Sequence, residues 1–337
     1  MEAPSPPLAA TPSPTATALP SLTPTATIAL PTAAAPPSAT PWPTASEVTQ
    51  ALTIEEYPVV AEGTDSPNHL EYAGHIDPAI LEKRLEWRSL SPEARVASAN
   101  SVLAQFGYRL DRTEKPGCPL CITYHLNRGD VIYQSEIAHV WPATVNANGD
   151  DFALTVETEQ GEGFLIRRGK VEPWDSVQHA YTNAVYVGND LVSLETADHR
   201  EFVVKKGDRP VYSVRGEMRV DNPVKGLWSW RDRWVLEVDG QVIIDGQSLN
   251  QQLGYDEVFG WRLVQSQPFY FFRKGNRIGV SYAGQVMRPQ YDEVIHYECC
   301  EPAAFNVQGN EHMVWFHALR EGKWYYVEMG AYGQTAG

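Results

Sequence analysis

The four cysteines have the most specific spacing in the chain. Cys118 and Cys121 stand as Cys-Pro-Leu-Cys, and Cys299 and Cys300 are adjacent. A Cys-x-x-Cys spacing suits a redox pair, half of a zinc site or a local disulfide. A redox thiol is activated at a helix N-terminus, whereas Cys118 leads into the strand-like run Ile122–Leu126. A tetrahedral zinc site needs a second spaced pair, and adjacent cysteines fit one ion badly. Disulfides suit an exported chain best. Cys118–Cys121, a vicinal Cys299–Cys300 bridge and cross-links between the pairs all stay open.

The carboxylate doublets Asp256-Glu257 and Asp292-Glu293 look like acid/base pairs. Neighbouring side chains on a strand point to opposite faces, however, so neither doublet is a pair in space. Their recurrence predicts turn chemistry, with Asp capping backbone donors. His296, His312 and His317 gather near the C-terminus with Glu298, Glu301 and Glu311, but without the His-Glu-x-x-His spacing of a zinc site. No nucleophile elbow, P-loop or dinucleotide fingerprint is present, so no cofactor is expected and no catalytic residue stands out. Trp228, Trp230 and Trp261 form a candidate ligand platform. Trp228 and Trp230 share strand parity and face the same way. Rows of Trp on a β surface stack sugars, and they also serve as packing between repeats.

These residues must be positioned by short strands. Ser91-Pro92 caps a helix whose Ala99, Val102, Leu103 and Phe106 share a face and which stops at Gly107. Asp77-Pro78 opens another helix before it. After Gly107, short apolar runs alternate with Gly, Asp and Asn turns to the end, the pattern of a sandwich, barrel or propeller. A repeat decides among them. Tyr-Asp-Glu-Val occurs at 255–258 and again at 291–294, 36 residues on, and 238–258 aligns with 274–294 without a gap. Anchoring one strand per unit at Phe152, Leu191, Trp234, Tyr270 and Val314 gives steps of 39, 43, 36 and 44 residues. Each unit of three or four strands has an apolar face that it buries against the next.

Two family resemblances rest on these repeats. Gly275-Asn-Arg-Ile-Gly279, followed by Gly284-Gln-Val286 and Pro289-Gln-Tyr-Asp-Glu-Val294, resembles a WG-type repeat, with Ile278-Gly279 where that repeat has Trp-Gly. Val145-Asn-Ala-Asn-Gly-Asp-Asp-Phe-Ala-Leu154 resembles the strand motif of TolB-like propeller repeats. The stretch 90–330 is similar to uncharacterised exported bacterial proteins with a Pro/Thr-rich leader. Such likeness implies a repeat fold and no activity.

Composition supplies the setting. Residues 3–46 carry no charge and hold 12 of the chain's 25 prolines. That composition cannot bury enough apolar surface to offset its ordering entropy, and predicts a disordered spacer. A spacer needs a tether, so a secretory or lipoprotein leader upstream of Met1 is expected. The net charge of −15 argues against nucleic acid. No run of apolar residues is long enough to form a transmembrane helix.

The sequence therefore predicts a spacer over 1–46, a lead-in and two-helix cap over 47–110, a mainly β, propeller-like domain of five or six repeats over 111–330, and a flexible tail over 331–337. The expected function is a non-catalytic extracytoplasmic binding or scaffold module for a cell-surface protein or glycan. The alternatives are a hydrolase or lyase with a site drawn from several blades, and a redox or metal-linked protein using the cysteines. Function is expected on the parts that do not repeat, namely the Cys299-Cys300 insertion and the Trp-rich segment.

Overall fold

The computed structural model describes residues 52–58, 96–115, 118–216, 223–296 and 306–330. The spacer, the helix opening at Asp77, the tail, Cys299 and Cys300 lie outside them, as do the side chains of Cys118 and Cys121.

The described residues are mainly β. Strand β1 (Thr53–Pro58) precedes a helix over 96–103, which tightens into a 3-10 turn at Ala104–Phe106 and stops at Gly107. Ala99 and Leu103 are buried on the sheet that follows, with Val102 and Phe106 packed beside them. The helix is tied to that sheet by Asn100, whose carboxamide exchanges two hydrogen bonds with the backbone of Leu110.

That first sheet holds β2 (Tyr108–Lys115), β3 (Cys118–Arg128), β4 (Val131–Val140), β5 (Thr144–Val145), β6 (Phe152–Thr158), β7 (Gly163–Arg167) and β8 (Lys170–Pro173). The second is a four-stranded meander of β9 (Val185–Val187), β10 (Asp190–Thr196), β11 (Glu201–Lys206) and β12 (Arg209–Arg215). The third repeats it with β13 (Val224–Trp230), β14 (Arg233–Val238), β15 (Gln241–Ile244) and β16 (Gln247–Ser248). The fourth does so with β17 (Glu257–Val264), β18 (Gln267–Lys274), β19 (Arg277–Tyr282) and β20 (Gln285–Val286). The fifth contains β21 (Glu293–Val294), β22 (Gln308–Gly309), β23 (Met313–Arg320) and β24 (Lys323–Gly330). All pairings are antiparallel, and the architecture is propeller-like. Phe152, Leu191, Trp234, Tyr270 and Val314 fall on β6, β10, β14, β18 and β23, one in each successive sheet and each on an inner strand.

The fifth sheet is completed by β1, which pairs with β24 from Thr53↔Gly330 to Pro58↔Tyr325. A segment that reads as lead-in thus joins the two ends of the described chain. The pairing is fixed by side chains as well as the ladder: Glu56 accepts hydrogen bonds from the Tyr291 hydroxyl and from Arg320.

Successive sheets are joined by apolar clusters. Alternation along β14 shows how one strand serves two of them. Trp234, Leu236 and Val238 face the second sheet, whereas Val235 faces the fourth. The echoed tetrapeptides are part of the same construction. Tyr291, Val294 and Val258 are buried, and Tyr255 stacks on Phe272. Asp256 accepts the Gly275 N–H and Asp292 the Glu321 N–H, each in the hairpin turn of its own sheet. The Asn146–Asp151 turn is also structural. Asp151 accepts the N–H groups of Phe152 and Arg168 and the Tyr186 hydroxyl, which ties the first sheet to the second.

Candidate functional site

A cavity of about 190 Å³ opens where the third, fourth and fifth sheets meet. Lys225 and Trp228 of β13, Glu237 of β14, and Phe259, Gly260, Trp261 and Arg262 of β17 line it, together with His296, Asn306 and Val307. Two β-bulges shape its wall. In β13 the register shifts between Val224 and Gly226, which makes Lys225 the extra residue beside Glu237. In β17 it shifts between Phe259 and Arg262, so Gly260 and Trp261 together face one residue of β18. Such bulges bend a strand and re-aim its side chains.

Gly260 takes φ +65°, where a Cβ would be strained and would lie 3.0 Å from the Phe271 ring. Its left-handed backbone turns two successive N–H groups away from the ladder, a geometry that binds anions. Glu237 fills it: Oε1 accepts from Gly260 N at 2.9 Å and Oε2 from Trp261 N at 2.7 Å. A carboxylate set between Leu236 and Val238 and only 2% exposed is thereby satisfied.

Arg262 leaves the bulge toward the fifth sheet. One terminal amine donates to the Val307 carbonyl at 3.1 Å. Its Nε is buried with no protein partner, as is the Trp261 Nε1. The side chain lies at the cavity wall, closely surrounded by protein. Burial pushes the guanidinium down to about 10, opposed in part by the Glu237 charge.

His296 stacks on Phe259 with ring centroids 3.4 Å apart. Its Nδ1 faces the Val294 carbonyl at 2.6 Å and its Nε2 the Glu257 carboxylate at 3.0 Å. Glu257 also pairs with Arg273 at 3.0 Å. Burial alone would raise the Glu257 carboxyl, but His296 and Arg273 outweigh it and hold it below the usual carboxylate range. Asn306 is pinned by donating to the carbonyls of Ile295 and His317 and accepting from His317 N. The residues on either side of the 297–305 insertion, His296 and Asn306, therefore both belong to the cavity wall.

Of the three expected tryptophans, Trp228 and Trp261 line the cavity with ring centroids 4.9 Å apart. Trp228 is half-buried and its ring lies over Gly226, where a Cβ would come within 2.4 Å of it. Trp261 is 1% exposed. Trp230 is buried behind them in the same apolar cluster. The histidines take separate places: His296 on Glu257, His312 on Glu311, and His317 against Tyr326. Among the described residues no three His, Cys, Asp or Glu side chains are grouped to hold a metal ion. Cys118 opens β3, paired in register with Lys115, and Cys121 follows on the same strand.

Reasoning from motifs passed over Lys225, Glu237, Arg262 and Asn306, and weighed His296 only as part of a metal cluster. A signal existed for two of them: Glu237 interrupts Trp234-Val-Leu-Glu-Val238, and Arg262 interrupts Phe259-Gly-Trp-Arg-Leu-Val264. A lone charge inside an apolar strand marks either a solvent face or a buried, paired group.

No protein-family model matches the chain, and no curated protein does. Solved structures with some likeness include TolB from Acinetobacter baumannii, at 10% identity and a TM-score of 0.34 over 67% of this chain and 64% of that one. BBS1N in complex with ARL6DN aligns at 10% identity and a TM-score of 0.28, over 63% of this chain and 73% of that one. A prolyl endopeptidase aligns at 9% identity and a TM-score of 0.26, over 72% of this chain and 51% of that one. Likeness this distant carries no argument about activity, and the propeller-like assignment rests on the strand pairing itself.

Proposed function

We propose that the chain is a non-catalytic, extracytoplasmic binding module that holds its ligand in the cavity between the third, fourth and fifth sheets. The observation that carries this reading is the meeting there of two β-bulges with the non-repeating residues Trp228, Trp261, His296 and Asn306. A general acid or base must reach a substrate proton. Both oxygens of Glu237 are instead held by backbone N–H groups, and both nitrogens of His296 face acceptors of the protein itself. These groups are built to stay in place. The uncharged Pro/Thr-rich leader and the paired cysteines support an exported setting, and no helix among the described residues is long and apolar enough to cross a membrane.

The test is a ligand screen across small acids, oligosaccharides and peptides, read by thermal shift and by the fluorescence of the cavity tryptophans. A hit weakened by Trp228→Ala, with unchanged folding, is expected. Turnover of any screened compound that is abolished by Glu237→Gln would replace the binding reading with an enzymatic one. No stabilisation by any class would overturn it.

A further inference from the structure

The cavity wall holds opposite charges in unequal states. The negative charge of Glu237 is already taken up by two backbone N–H groups. The guanidinium of Arg262 donates to one carbonyl, that of Val307, and its Nε is buried without an acceptor. Lys225, on the exposed bulge of β13, brings a second positive charge to the same wall. A buried guanidinium short of acceptors is costly, and an oxyanion reaching it from the cavity would offset that cost. Guanidinium groups pair best with planar oxyanions, through two parallel hydrogen bonds. The rest of the wall is aromatic, with Trp228, Trp261 and Phe259. An apolar cavity of about 150 Å³ accommodates benzene, so the volume here takes one six-membered ring with a substituent.

Resting on the binding reading above, we infer that the cavity recognises a carboxylate carried on a single small ring, with Arg262 pairing the carboxylate, Lys225 supporting it and the Trp228–Trp261 wall covering the ring. A free aromatic acid and a uronic acid at the end of a glycan share this chemistry.

The experiment titrates the full chain with benzoate, glucuronate, benzamide and benzylamine, following tryptophan fluorescence and melting temperature. Benzoate or glucuronate is expected to bind at least about ten-fold more tightly than neutral benzamide. Whichever acid prevails identifies the source. Arg262→Gln is expected to remove that preference. Should Arg262→Gln not fold, Lys225→Gln at its exposed position is expected to weaken the acid several-fold and to lower the salt sensitivity of binding. Benzamide binding as well as the acid, a preference for benzylamine, an acid preference untouched by both substitutions, or binding of none of the four would overturn the inference. A neutral sugar or peptide that binds in a Trp228-dependent way would sink the carboxylate alone and leave the binding module standing.

Discussion

The third sheet has two faces, and they make two kinds of junction. Toward the second sheet, Leu227, Trp234, Leu236, Val238 and Ile243 meet Val187, Val192, Leu194, Phe202 and Val204. Toward the fourth sheet, Trp228, Trp230, Val235, Val242 and Ile244 meet Trp261, Tyr270 and Phe272, and beside them the junction opens into a cavity holding Glu237 and Arg262. The first junction is filled by apolar side chains, and others of suitable volume would close it as well. The second departs from regular strand geometry on both sides, at Lys225 and at Gly260-Trp261. A junction that only needs to hold sheets together has no use for a buried carboxylate, a desolvated guanidinium and a gap. The contrast is the reason to place function in one and adhesion in the other.

The contrast can be broken by measuring what each junction contributes. Leu236→Ala, on the dry face, is expected to cost roughly 2–5 kcal/mol through the cavity it leaves. Glu237→Ala, one residue along, is expected to cost about as much for another reason, because it strands two N–H groups at about 1–3 kcal/mol each. Denaturant midpoints would decide the point. A loss at Glu237 much below that at Leu236 would mean the carboxylate does not hold the bulge. Glu237→Gln, which can still accept a hydrogen bond, should lose less than Glu237→Ala.

Gly260→Ala should come next, at about 1–2 kcal/mol for the left-handed backbone, with the Phe271 contact added. Its effect should reach ligand binding as well as stability, because the same bulge aims Trp261. A variant that melts lower but binds normally would separate the bulge from the site.

Acid provides a milder probe of the charged junction. The Glu257 carboxyl is held below its ordinary value in the folded chain, so the stability it supplies is complete above the unfolded value of about 4.3 and is lost as pH falls through the folded value. Unfolding free energy should therefore decline below about pH 4.3, and Arg273→Leu should flatten that decline. An unchanged acid profile in the variant would show that the pair contributes nothing to folding.

The smallest effect is expected at the turn caps. Asp256→Ala and Asp292→Ala each remove one hydrogen bond to a hairpin N–H, for about 0.5–1.5 kcal/mol. Neither should alter ligand binding. A binding defect in either would extend the site beyond the junction described.

Much of the architecture was legible because it is periodic. The echo of Tyr-Asp-Glu-Val marked the repeat, and the Asp residues act as caps because a turn needs an acceptor close in sequence. The helix ending at Gly107 was readable from its cap and its apolar spacing. Residues 53–60 could be read as a short strand or an extended lead-in, but the pairing of β1 could not, since its partner β24 lies more than 260 residues away and nothing local records it. The three tryptophans looked equivalent in sequence, yet burial separated them: Trp228 and Trp261 line the cavity, while Trp230 packs in the adjoining apolar cluster.

By itself the sequence determined the unit and its period, because alternation and turn chemistry are local properties of a strand. It also singled out the segments that fail to repeat. Only the tertiary structure decided that Glu237, Arg262, His296 and Asn306 share one cavity. They come from β14, β17 and the two sides of the 297–305 insertion, and a bulge that turns two N–H groups toward a neighbouring sheet has meaning only once that sheet supplies the carboxylate.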